Sequence, residues 1–141
     1  MNSTSSPPVG DIEFRMPRSR RSVGRARTLF TEQARCWKLP QGVTETAVLL
    51  LSELMTNAVV HAKVSQGREV WARCALRAEG TLRVEVLDAD ETPPTPRHAS
   101  ADDEGGRGLA LIEALAERWG SEPREPGIGK TVWFELSVPG E

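Results

Sequence analysis

The sequence predicts an α+β domain: a two-layer α/β sandwich with a mixed, mostly antiparallel sheet and its helices gathered on one face. Two observations carry that class. Segments alternating with period two lie near the start, in a central hairpin and at the end, and three segments with apolar residues three and four apart fall between them. Their order is strand, helix, helix, strand, strand, helix, strand, strand, which sends the helices to one side of the sheet. At 141 residues the chain holds one core, because single cores occupy about 100–150 residues.

Met1 to Gly10 is rich in Ser and Pro and reads as a disordered leader, so the domain is expected over residues 11–139. Ile12, Phe14 and Met16 alternate with Glu13 and Arg15, the period of a half-buried strand stopped by Pro17. Val23, Ala26, Phe30, Ala34 and Trp37 then form the apolar stripe of a helix starting at Ser22, with Pro40 and Gly42 as its stop. A second helix is expected from about Thr44 to Ala62, burying Ala47, Leu50, Leu51, Leu54 and Ala58. Val70, Ala72, Cys74 and Leu76 alternate with polar neighbours, and Leu82, Val84 and Val86 do so again after Glu79-Gly80. That is a hairpin. From Ala89 to Gly108 the chain is rich in proline, acid and glycine, a loop long enough to mark either function or disorder. Leu109, Ile112, Leu115, Ala116 and Trp119 predict a third helix stopped by Gly120; a short strand follows at Ser121 to Arg124, and Val132, Phe134, Leu136 and Val138 make the last one.

Composition removes several classes. Hydrophobic residues at 38% and charged residues at 27% suit a globular chain. No apolar run approaches the ~20 residues of a membrane span, and the first ten residues lack a signal-peptide pattern, so a cytoplasmic protein is expected. Cys36 and Cys74 have no metal-ligand spacing and read as reduced thiols. The net charge of −2 conceals a basic early segment, Arg15, Arg18, Arg20, Arg21, Arg25 and Arg27, and an acidic one from Asp88 to Glu104. Without interleaved aromatics or a basic pI, nucleic acid is not the expected partner. The arginines read as a solvated helix face, with an acidic protein partner as the alternative.

Three groups of residues are candidates for chemistry. Glu53, Asn57 and His61 fall at i, i+4 and i+8, one polar stripe beside the buried face of the second helix. A part-buried amide there needs a partner, since an unmet one costs about 1–3 kcal/mol; a ligand or metal meets that need, and so does pairing with neighbours. Asp88 ends a strand, where its carboxylate can accept a hydrogen bond from an exocyclic amine or cap a turn. Gly105, Gly106 and Gly108, with Arg107 between them and Leu109 after, precede a helix; such glycines admit phosphate to backbone amides, although flexible loops look alike. Neither the P-loop pattern nor the dinucleotide fingerprint is present.

Together, these groups resemble a known family. The run Ser52-Glu53-Leu54-Met55-Thr56-Asn57-Ala58-Val59-Val60-His61 resembles the N box of the histidine-kinase-like ATPases. Val84 to Asp88 resembles the strand and aspartate of the first glycine box, Gly105 to Leu111 the second, and Gly129-Lys130-Thr131-Val132 the closing Gly/Thr strand, all in the family's order. Within that family, a chain of this length with Arg107-Gly108-Leu109 and Trp119-Gly120 resembles the small anti-sigma serine kinases of actinobacteria. No phosphoacceptor-histidine domain is expected ahead of it.

The resemblance implies a Bergerat-type ATP-binding fold with ATP and Mg²⁺ as cofactors. It makes Asn57 the Mg²⁺ ligand and Glu53 the general base for an incoming serine hydroxyl. Asp88 is implied to recognise adenine with Thr131 in support. Gly105, Gly106, Arg107, Gly108 and Leu109 are implied to cover the phosphates, with His61 structural. The implied partners are an anti-anti-sigma factor or a sigma factor, and a second copy in a homodimer. One departure stands out: Asp88 is followed by Ala89, Asp90, Glu91, Thr92, Pro93 and Pro94, where the family continues into glycines. That departure favours the alternative, a non-catalytic module that sequesters a sigma factor or other regulator.

Overall fold

The structure, a computed structural model, describes residues 8–60, 69–88, 104–123 and 129–139, with backbone alone at 8, 9, 60 and 104–108. The order is β1 (Pro8–Pro17), α1 (Arg21–Trp37), α2 (Gln41–Val60), β2 (Glu69–Arg77), β3 (Thr81–Asp88), α3 (Glu104–Leu115), β4 (Arg118–Pro123) and β5 (Lys130–Ser137). The strands form one sheet in the order β1-β2-β3-β5-β4. All four pairings are antiparallel, where the sequence predicts a mixed, mostly antiparallel sheet.

Alternation decides the two faces. Phe14, Met16, Val70, Ala72, Cys74, Leu82, Val84, Val86, Val132, Phe134 and Leu136 point to the helices and are buried, the period-two consequence of the pleat. Against them pack Ala26, Phe30 and Ala34 of α1, Leu50, Leu51, Leu54, Met55 and Ala58 of α2, and Leu109 and Ile112 of α3. The far face carries a ladder of charge. Arg73 pairs with Glu13 at 3.1 Å and Glu85 at 3.5 Å, while Arg83 reaches Glu85 at 2.8 Å and Glu135 at 3.0 Å. Arg118 closes the row on Glu135 at 3.2 Å. Among the described residues no helix is long and apolar enough to cross a membrane.

Four boundaries differ from expectation. Pro8 to Gly10 belong to β1 rather than to a leader, with Gly10 opposite Leu76. Helix α2 starts at Gln41, three residues early, because Pro40 serves its first turn: the Pro40 carbonyl accepts from the Thr44 amide at 3.0 Å and the Thr44 hydroxyl at 3.2 Å. Helix α3 already includes Gly105 to Gly108 and stops at Leu115, whose side chain is 45% exposed. Trp119 and Gly120 lie in β4, opposite Phe134 and Trp133. Pairing with β5 competes with the helix here and wins at Glu117, whose amide donates to the Glu135 carbonyl at 2.9 Å. Gly120 is therefore no helix stop; a Cβ there would stand 2.8 Å from the Trp133 ring, so the glycine lets that indole lie across β4.

Candidate functional site

The site is built at one end of the sheet, and the opposite end shows how. Gly42, Val43 and Thr46 of α2 line a groove with Leu115 at the end of α3, with Ala116 after it, and with Leu136 and Ser137 of β5. Leu136 and Ser137 pair with Leu82 and Thr81, where β3 begins. The first turns of α2 therefore lie at the start of β3. From Val43 to Asn57 a helix advances about 21 Å, and from Leu136 back to Lys130 a strand covers about 20 Å. Helix α2, packed on β3 and β5, thus carries Glu53 and Asn57 toward the end of the sheet where β3 finishes and β5 starts. Helix α3 packs on α2 with its last turn at that first groove, which directs its glycine-bearing first turn the same way.

Glu53 and Asn57 are half-buried, flanked by the buried Leu54, Met55 and Ala58. Their stripe follows from helical spacing: residues four apart share a face. Asp88 is the last residue of β3 and is only 3% exposed. It shares the inward parity of Val84 and Val86, so its carboxylate faces the helical layer. Its register partner is Lys130, whose Nζ lies 3.4 Å from Oδ1 of Asp88. A carboxylate taken out of water needs such a partner.

Lys130 is the residue that sequence reasoning missed. Thr131, expected beside Asp88, pairs instead with Leu87 and falls on the outer parity of β5. Lys130 takes that place because Val132, Phe134 and Leu136 are inward, and counting back by twos from them reaches Lys130. Leu109 is buried at 5% in the core beneath α3. For Gly105, Gly106, Arg107 and Gly108 the backbone is helical, where a loop was expected. His61 and the segment after Asp88 lie outside the described residues.

The donor set suits a nucleotide with a magnesium ion. Among the described residues no three His, Cys, Asp or Glu side chains gather to hold a metal. Mg²⁺ is commonly bound through one or two protein oxygens with substrate phosphates completing its shell, and a single amide such as that of Asn57 fits that mode. A buried carboxylate at a strand end, aimed inward, fits an amine donor.

Comparison with known proteins agrees with the fold. The model of the histidine kinase-like ATPase domain matches residues 16–136, and the chain belongs to that family. A crystal structure of the RsbU and RsbW domains of Rv1364c from Mycobacterium tuberculosis shares the fold, with a TM-score of 0.68 at 20% identity over 95% of this chain. The chain spans 34% of that solved protein. An uncharacterized protein of Streptomyces coelicolor is 41% identical over 76 residues, which make up 52% of this chain and 70% of that protein.

Proposed function

We propose that this protein binds ATP with Mg²⁺ and phosphorylates a serine on an anti-anti-sigma partner, acting as an anti-sigma regulator. What supports the reading is that α2, whose polar stripe holds Glu53 and Asn57, packs on β3 and runs toward the end of the sheet where the buried Asp88 sits, inside a histidine kinase-like ATPase domain. Likeness to a solved chain containing an RsbW domain supports the choice of a regulatory kinase within the family.

Each side chain has a role that its chemistry allows. Asp88 accepts a hydrogen bond from the purine amine, with Lys130 holding its other side. Asn57 would supply an oxygen to Mg²⁺, and the ion when bound would offset the charge on the transferred phosphoryl group. Glu53 orients the serine hydroxyl and takes its proton, while the positioned groups supply most of the rate in phosphoryl transfer. The amides opening α3 and Arg107 meet the phosphate oxygens. A second reading, a protein-binding module without catalysis, is favoured by the prolines and acids that follow Asp88.

The test has two stages. Mg-ATP at about a hundred times its dissociation constant should stabilise the protein by about 2.7 kcal/mol, read as a rise in Tm that Asn57→Ala and Asp88→Asn both remove. Incubation with labelled Mg-ATP and an anti-anti-sigma protein should then yield phosphoserine in the wild type and at least about a hundredfold less in Glu53→Ala. A Tm rise without phosphoserine selects the module reading; no Tm rise rejects nucleotide binding.

A further inference from the structure

Arginines are distributed unevenly over the described surface, and the unevenness has a direction. On the sheet, Arg15, Arg73, Arg83 and Arg118 each meet a glutamate. Along α1 and its entry, none of Arg20, Arg21, Arg25, Arg27 and Arg35 pairs with an acid among the described residues. All five are exposed. From Arg20 to Lys38 six cations stand against one carboxylate, Glu32.

This concentration does not help the helix. The first turn of α1 has no acidic residue and no side-chain cap, although the positive end of a helix dipole favours anions and is weakened by cations. Like charges three and four residues apart, as at Arg21 and Arg25, also destabilise an isolated helix. Intrachain stability is therefore not the reason for the pattern.

Geometry adds a place for an anion to sit. Arg27 and Arg35, about 12 Å apart along the axis, flank a groove between α1 and α2 lined by Gly24, Thr28, Thr31 and Val48. Gly24 has nothing within 4 Å of a would-be Cβ, so that end of the groove is open. Glu32 lies on the same groove.

We propose that this face of α1 docks an acidic segment of a partner protein, whose carboxylates pair with Arg27 and Arg35 while its backbone runs along the groove. Guanidinium forks match carboxylates bidentately, and such pairs are the stronger class of hydrogen bond. A protein is favoured over nucleic acid because, among the described residues, the groove has no aromatic side chain for a base to stack on. The inference stands apart from the nucleotide reading and needs none of Glu53, Asn57 or Asp88.

The experiment titrates the full chain, without nucleotide, with poly-L-glutamate and with a duplex DNA oligonucleotide of equal charge. Poly-L-glutamate should bind, weaken as salt is raised, and lose at least about tenfold in affinity in Arg27→Glu/Arg35→Glu. Glu32→Gln should tighten the same complex, a change of sign that a purely structural role would not produce. Both variants should keep the wild-type Tm, since the altered side chains are exposed. Unchanged affinity in the double variant overturns the proposal, as does DNA binding tighter than poly-L-glutamate.

Discussion

At the residue scale, Lys130 carries the sharpest consequence. Asp88 is nearly sealed from solvent and Lys130's side chain is 12% exposed, so removing the ammonium takes one partner from a buried carboxylate. Breaking one side of such a pair costs more than the pair contributes. Lys130→Met should lower stability by about 2–3 kcal/mol, and adding Asp88→Asn should restore part of the loss in a double-mutant cycle by denaturant unfolding. Gly10 makes a second case. It follows a register shift in β1, and a Cβ there would collide with the Trp37 indole, which closes the end of α1 over the strand. Gly10→Ala should cost about 1–3 kcal/mol, with Trp37→Leu relieving most of it in the same thermal melt.

At the element scale, α1 ends on an unusual residue. Lys38 caps it at φ 57°, ψ 43°, its amide donating to the Ala34 and Arg35 carbonyls, a conformation that costs a residue with a Cβ about 1–2 kcal/mol. Lys38→Gly should therefore stabilise the protein by about 0.5–1 kcal/mol in denaturant unfolding, the smaller figure reflecting glycine's freer unfolded state. Other elements owe their limits to partners rather than to propensity. Trp119 continues the helical spacing of Leu109, Ile112 and Ala116, yet it belongs to β4 because β5 offers a full row of backbone partners from Arg118 to Pro123.

For the whole molecule, the buried Cys74 links folding to alkaline pH. Burial first, then the negative charges of Asp11 and Glu85, push its thiol from 9.0 up to about 12. The folded state thus keeps a proton that the unfolded chain releases, so this contribution is complete below pH 9.0 and is lost as pH rises toward 12. Denaturant midpoints should fall over that window in the wild type and fall less in Cys74→Ala, measured from each protein's own neutral value. Exposed Cys36 should react with iodoacetamide in the native protein, whereas Cys74 should wait for unfolding.

The linear chain by itself determined which residues turn inward, because alternation and the helical period are local properties of neighbouring residues. Ala47, Leu50, Leu51, Leu54 and Ala58 were legible in this way and are all buried. The pairing of Lys130 with Asp88 could have been reached by the two-residue count back from Val132, a step that the motif likeness naming Thr131 did not take. The positions of Glu53, Asn57 and Asp88 stood out for their chemistry. Only the tertiary structure decided which end of α2 meets which end of β3, and that β5 lies between β3 and β4. It also decided that Arg15, Arg73, Arg83 and Arg118 meet glutamates while the arginines of α1 pair with no acid among the described residues. Those outcomes depend on contacts between segments far apart in sequence, and no periodicity within one segment encodes its distant partner.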